Sequence, residues 1–176
     1  QMCIRDSYEL SSGEIAVDGV PLTAANRRAW QNRIGYVSQR LFLTDGTFAA
    51  NVAPGVPAAE IDRRRVTEAL EAAQLGEFIA SLPLGIDTPV GECGSRLSGG
   101  QRQRIGIARL ALRRYDLIIA DEITASLDPD TSGQVMEKLL ALPCMVVAIT
   151  HDVSGAFMKQ FDKVYRVEHG SVSNLL

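Results

Sequence analysis

Apolar and polar residues alternate through Gly13-Glu14-Ile15-Ala16-Val17-Asp18-Gly19, which predicts a strand running into an Asp-Gly turn. Ile34–Val37 predicts a second short strand, and Gly46, Pro54, Gly55 and Pro57 then mark loop. The period changes at Val66, Ala69, Leu70 and Ala73, whose i, i+3, i+4, i+7 spacing puts one apolar stripe on a helix. Gly76, just beyond the stripe, is the expected stop. After a loop carrying Pro83, Gly85, Pro89, Gly91 and Gly94, the residues Ile105, Ala108, Ala111 and Leu112 predict a helix starting near Ser98. Leu117-Ile118-Ile119-Ala120 is too short for a helix and reads as a buried parallel strand. Asp128-Pro129 has the form of an N-cap with proline at the first helical position. Val135, Met136, Leu139, Leu140 and Leu142 supply that helix with an apolar face. Met145–Ile149 reads as another buried strand, residues 155–161 as a short helix, and 164–167 as a last strand before a turn at Gly170. Strands alternating with helices predict an α/β fold with a mostly parallel sheet, interrupted by a helical insertion over about 58–114.

Composition narrows the possibilities. The 176 residues include 46% apolar ones, enough for one domain with a real core and too many for a disordered chain. A net charge of −3 argues against a bulk basic surface, so nucleic acid is not an expected partner. The longest apolar run, 144–149, is far short of the roughly 18 residues that span a bilayer. Cys3, Cys93 and Cys144 are widely spaced and form no CxxC pair, so neither a zinc knuckle nor a disulfide framework is indicated. A reducing, cytoplasmic setting is the simplest expectation. Residues 1–7 have neither periodicity nor the apolar core of a signal peptide.

Two segments carry chemistry. In Leu97-Ser98-Gly99-Gly100-Gln101-Arg102-Gln103-Arg104, Ser98 can cap a helix and two glycines let a ligand approach the backbone. The N–H groups and positive dipole end of such a helix suit a phosphate. In Leu117-Ile118-Ile119-Ala120-Asp121-Glu122, a buried strand delivers two carboxylates at its C-terminal end, where α/β folds bind ligands. Asp121 can hold Mg²⁺ through water, and Glu122 can orient or deprotonate an attacking water. Gln39 after the Ile34–Val37 strand, Ser126-Leu127-Asp128 after the acidic pair, and His151 after the Met145–Ile149 strand are each weak signals alone. Their joint order is a strong one.

In that order the chain resembles an ATP-binding cassette (ABC) ATPase domain, over about residues 8–172. Leu97, Ser98, Gly99, Gly100 and Gln101 match the ABC signature. The strand ending in Asp121 and Glu122 matches Walker B, Gln39 the Q-loop, Ser126-Leu127-Asp128 the D-loop, and His151 the switch histidine. Residues 82–92 are similar to exporter cassettes, which puts the exporter X-loop at 91–94. The resemblance implies a P-loop NTPase-like (RecA-like) sheet with an inserted helical subdomain, using ATP and Mg²⁺. It implies two cassettes sandwiching ATP, with the signature residues touching the γ-phosphate held by the opposite subunit. Gln39 and Asp121 would then position Mg²⁺ and water, Glu122 would be the catalytic base, His151 would contact the γ-phosphate, and Asp128 would cross the dimer interface. The implied partners are a second, like or unlike, cassette and transmembrane domains upstream on the same chain, at the cytoplasmic face of the plasma (inner) membrane. The implied cargo is a drug, lipid, peptide or glycolipid. The alternatives are a non-transport ABC ATPase of the DNA-repair or chromosome-maintenance type, and a binding module offering only its signature face.

One family element is missing from the text. No G-x-x-x-x-G-K-[ST] loop occurs, the lysines being only Lys138, Lys159 and Lys163. The expectation is therefore a partial cassette over 8–176, incomplete at its N-terminus, preceded by a foreign or disordered start at 1–7 and inactive by itself. Ser38 and Cys93 stand where the family often has proline and arginine. Arg63, Arg64 and Arg65 read as one solvated face, Trp30 as packed against the sheet, and His169 as a solvated turn residue.

Overall fold

A computed structural model describes residues 12–38, 41–124, 127–151 and 154–175. Gln39 and Ser126 lie outside the described residues, as does the 1–7 segment.

Three strands form a parallel sheet in the order β3 (Ile34–Val37), β4 (Leu117–Asp121), β5 (Met145–Ile149). Ile34 is in register with Leu117, and Leu117 with Met145, so Asp121 and Ile149 come side by side at the C-terminal edge. The start of this sheet is latched by an ion pair between Arg33 and Asp116 and by the Asp116 N–H donating to the Arg33 carbonyl at 2.9 Å. All four apolar residues of β4 are buried, as a central parallel strand requires.

Between β3 and β4 the chain is helical. α2 (Phe48–Val52) and α3 (Arg63–Ala72) pack against α5 (Gly99–Ala111), with α4 (Gly76–Ala80) against α3. Val66, Ala69, Leu70 and Ala73 are all buried, as their spacing predicts. The stop is not Gly76, however. Gln74 takes the left-handed conformation (φ 58°), its N–H donates to Glu71 O, and Leu75 N–H donates to Leu70 O at 2.8 Å, a Schellman cap. A non-glycine residue there costs roughly 1 kcal/mol, which is offset because the cap drives Leu75 into the core, where it is wholly buried. Gly76 instead opens α4.

α5 lies directly on β3. A Cβ on Gly106 would come 3.1 Å from Val37, and one on Gly35 would come 2.7 Å from Leu110, so the two glycines set the close approach. Gly106 meets the end of β3 while Leu110 meets its middle, so α5 runs antiparallel to the strand. Its first residue, Gly99, therefore lies about 10 Å along the helix from the level of Val37, seven residues at 1.5 Å each, and beyond the C-terminal edge of the sheet.

The remaining elements are smaller. β1 (Ala16–Val17) and β2 (Val20–Pro21) form a hairpin around Asp18 and Gly19, both at positive φ. The Asp-Gly turn is as expected, whereas the strand before it is only two residues long because the pairing ends there. α6 (Pro129–Leu140) buries Val135, Met136 and Leu139, and α7 (Gly155–Met158) follows β5. α1 (Arg27–Gln31) carries Trp30, half-buried, with the Arg33 guanidinium 5.8 Å from its ring. β6 (Tyr165–Glu168) returns through the His169-Gly170 turn into β7 (Ser171–Asn174), a hairpin of which only the first strand and the turn are expected from sequence.

One expectation is corrected and one refined. β5 is not a buried strand, since Met145 is 67% and Val147 43% exposed. It is the edge strand of the described sheet, and one of its faces, the face shared with Ile119 and Asp121, stays open. The three arginines are all exposed, as expected, but each has its own partner. Arg63 pairs with Asp87, Arg64 with Glu68, and Arg65 donates to Leu112 O at 2.6 Å. Consecutive helix positions are spread about 100° apart, so each finds a different neighbour.

Candidate active site at the strand ends

The site grows from the register of the sheet. Because Asp121 and Ile149 are paired, the residues that follow them leave the sheet together. Glu122 takes a left-handed turn (φ 51°) with its N–H donating to Ile149 O at 2.9 Å. That turn sets its carboxylate 3.0 Å (Oε1) from Nε2 of His151. The Glu122 side chain is 25% exposed and that of His151 91%, so the pair opens to solvent on the histidine side. A strained backbone at a residue with an acid–base side chain is a recurrent mark of functional sites.

On the other flank, the Tyr36 hydroxyl of β3 donates to Oδ2 of Asp121 at 3.0 Å. Tyr36 is in register with Ile119, so it shares a face with Asp121 two residues further on, and its long side chain spans the diagonal. Tyr36 has no sequence signal as a site residue; only the strand register brings it there.

The helix start forms the second part of the site. Ser98 is the N-cap of α5: Gln101 N–H donates to Ser98 Oγ at 3.2 Å, and Ser98 N–H to Gln101 Oε1 at 2.9 Å. This capping box satisfies two donors and leaves the first-turn N–H groups of Gly99 and Gly100 without intrahelical acceptors. Leu97 is buried and anchors the turn, and Arg102 donates to its carbonyl at 2.9 Å. Ahead of it, residues 91–94 make a turn in which Gly91, Cys93 and Gly94 all have positive φ and Cys93 N–H donates to Asp45.

Asp128 caps α6, accepting from Thr131 N–H at 2.9 Å, with Pro129 following as predicted. The hydrogen bonds from Thr131 hold its carboxyl below the usual carboxylate range, and the Arg104 charge adds to this. Arg104, which sequence reasoning passes over, donates to Gln74 O at 2.7 Å, and burial lowers its own pKa. The structure thus gathers Asp121, Glu122 and His151 at the strand ends and holds Ser98, Gly99, Gly100 and Gln101 out beyond the same edge.

Among the described residues no cluster of three or more His, Cys, Asp or Glu could cage a metal ion. Mg²⁺ keeps its waters and binds through one or two carboxylates plus substrate phosphates. Asp121, with its orientation held by Tyr36, is a fitting hard-oxygen donor.

A parallel sheet with carboxylates at its C-terminal edge and a capped glycine helix start beyond it fits a P-loop NTPase fold of the ABC ATPase type, the fold of the matched family and of a solved exporter. The chain belongs to the ABC transporter family, whose model matches residues 1–125. It is 40% identical over 168 residues to the ATP-dependent lipid A-core flippase of Ralstonia nicotianae, covering 94% of this chain and 28% of that protein. It is 36% identical over 167 residues to the putative multidrug export ATP-binding/permease protein YgaD of Bacillus subtilis, again covering 94% and 28%. Among solved structures it is similar to a bacterial Atm1-family ABC exporter with ATP bound. That match has TM-score 0.86 and 28% identity, and covers 98% of this chain and 30% of the other. The chain therefore spans under a third of the length of the relatives it matches. Among the described residues no helix is long and apolar enough to cross a membrane.

Proposed function

We propose that this chain supplies the signature, Walker B and switch-histidine parts of the ATP-hydrolysing cassette of an ABC exporter. The observation that carries the reading is the Glu122–His151 pair beside Asp121 at the ends of two adjacent parallel strands. Phosphoryl transfer to water needs little covalent help and much positioning. On this reading Glu122 takes the proton of an attacking water, and His151, which is open to solvent, contacts the γ-phosphate. Asp121 would hold Mg²⁺ through water together with Gln39, and the ion would neutralise charge on the phosphates. The N–H groups of Gly99 and Gly100, with Ser98, project beyond the sheet edge, where they can meet a phosphate held by a second cassette. Gln101 keeps that helix start rigid through the capping box, Leu97 anchors it, and Asp128 lies at the crossing between cassettes.

The full function on this reading is ATP-driven export of a drug, lipid, peptide or glycolipid. The cassette sits at the cytoplasmic face of a membrane, with transmembrane domains on the same polypeptide and a second cassette as partner. Residues 58–114 act as the helical subdomain. The 176 residues contain no P-loop lysine, so hydrolysis needs a P-loop from polypeptide joined to this chain.

The test is a graft. Residues 13–175 replace the matched segment of the Ralstonia nicotianae flippase, and ATP hydrolysis is measured in lipid vesicles. The graft hydrolyses ATP, and Glu122→Gln lowers the rate by about 10²–10⁴-fold, as expected for loss of a general base, while ATP still binds. His151→Ala lowers the rate without abolishing binding. The purified 176-residue chain shows negligible turnover. Full activity of the Glu122→Gln graft would overturn the catalytic assignment, and hydrolysis by the 176-residue chain that Glu122→Gln abolishes would overturn the need for a P-loop.

A further inference from the structure

From the Tyr36–Asp121 hydrogen bond we infer that Tyr36 is a positioning residue for the metal-binding carboxylate, an inference that rests on the reading of Asp121 as the Mg²⁺ ligand. The geometry is specific. β3 and β4 are locked in register by four residue pairs, from Ile34–Leu117 to Val37–Ala120. Tyr36 stands on the same face as Asp121, one alternation back, and its hydroxyl meets Oδ2 at 3.0 Å. Asp121 is the last residue of its strand, with Glu122 immediately turning away in a left-handed conformation. A carboxylate at such an end has two soft torsions. A phenol anchored in the neighbouring strand limits them, because the aromatic ring has only two torsions of its own and its backbone is held by the sheet.

The direction of the bond matters as much as its presence. The phenol donates and the carboxylate accepts, so the contact orients Oδ2 without bringing a competing charge to it. Groups that orient a ligand in this way typically carry a 10–100-fold effect on metal affinity. Tyr36 therefore acts on the metal through Asp121 and not by touching it. Phenylalanine at this position preserves the ring and its packing but removes the donor, so it isolates the proposed contribution.

The experiment uses the flippase graft and reads Mn²⁺ bound in the presence of ATP by electron paramagnetic resonance, alongside hydrolysis as a function of Mg²⁺. Tyr36→Phe is expected to weaken Mn²⁺ binding by about 10–100-fold, to leave metal-free ATP binding unchanged, and to lose less activity as Mg²⁺ is raised. A 4-aminophenylalanine at 36, which keeps ring and donor, restores the affinity. A purely structural role would lower the melting temperature and the active fraction without moving the Mn²⁺ affinity of the folded protein. Asp121→Asn separates the two readings. If Asp121→Asn weakens Mn²⁺ binding and Tyr36→Phe does not, this inference is overturned and the metal reading stands. If Asp121→Asn has no effect, the metal reading falls and this inference with it. Should the phenylalanine graft fail to fold, 4-fluorophenylalanine, which fills the hydroxyl's place without donating, takes over with the same two outcomes.

Discussion

Replacing Asn51 with alanine should destabilise the chain by about 2–3 kcal/mol, from a side chain that touches no site residue. Asn51 is 1% exposed and closes the loop ahead of α2. Its Oδ1 accepts from Thr44 N–H at 2.9 Å, and its Nδ2 donates to Thr44 O at 3.0 Å and Thr47 O at 3.1 Å. A fourth contact, from Thr44 Oγ1 at 3.4 Å, is long enough to neglect. Three bonds at a net ~1 kcal/mol each would give about 3. Thr44 is exposed, so water satisfies part of what the amide leaves, which brings the figure down toward about 2. The loop matters because Arg109 of α5 donates both to the Asn51 carbonyl at 2.6 Å and to the Phe42 carbonyl at 3.0 Å, tying the segment after β3 to the signature helix. Asn51→Asp is the sharper perturbation. It places an acceptor where Nδ2 faces two carbonyls, so at neutral pH it should cost more than alanine. Part of that cost should be recovered on acidification, when the protonated acid can donate to one of them. Urea unfolding of the 176-residue chain, followed by circular dichroism, measures both. An alanine cost within the ~0.5 kcal/mol scatter of surface changes would refute the hydrogen-bond argument. So would an aspartate variant no worse than alanine at neutral pH.

Further outcomes follow from the same geometry. Ser98→Ala should cost about 1 kcal/mol by removing the α5 cap, and Ser98→Gly only a few tenths, as chemical denaturation would reveal. Leu70→Ala, at a fully buried position of α3, should cost about 2–5 kcal/mol in the same assay. The Thr131 hydrogen bonds depress the folded-state pKa of Asp128, so its contribution is present above the unfolded carboxylate value and is lost as pH falls through the folded one. Asp128→Asn should therefore flatten the acid limb of the stability–pH curve, and an unchanged limb would contradict the assigned cap.

Much of this architecture is legible in the residues because it depends on neighbours in sequence. Ser98 with Gln101 three residues on, and Asp128 with Pro129 and Thr131, form caps from local atoms alone. The stripe Val66, Ala69, Leu70, Ala73 buries itself for the same reason. Less legible is anything decided by competition between positions. Gln74, and not Gly76, ends α3 because burying Leu75 outweighs the cost of a left-handed glutamine. The apolar run Met145–Ile149 suggests a strand covered on both faces, but coverage is a property of the neighbouring elements, and one face of β5 is open. Arg64 has a local partner, Glu68 one turn on, whereas Arg63 and Arg65 separate from it only when α3 is set against Asp87 and Leu112.

By itself the sequence determined the order of the chemical parts, the two carboxylates at a strand end, the glycine helix start, the histidine after a strand, and the absence of a P-loop lysine. Each is a local pattern whose spacing implies its geometry. Tertiary structure alone decided which of them meet. The register of β4 against β5 brings Glu122 and His151 within 3.0 Å, and the register of β3 against β4 brings the Tyr36 hydroxyl to Asp121. Register is set by hydrogen bonds between strands far apart in the chain and by the packing of α5 through Gly35 and Gly106. No local pattern encodes those contacts, because each residue in them satisfies its own local rule equally well without the other.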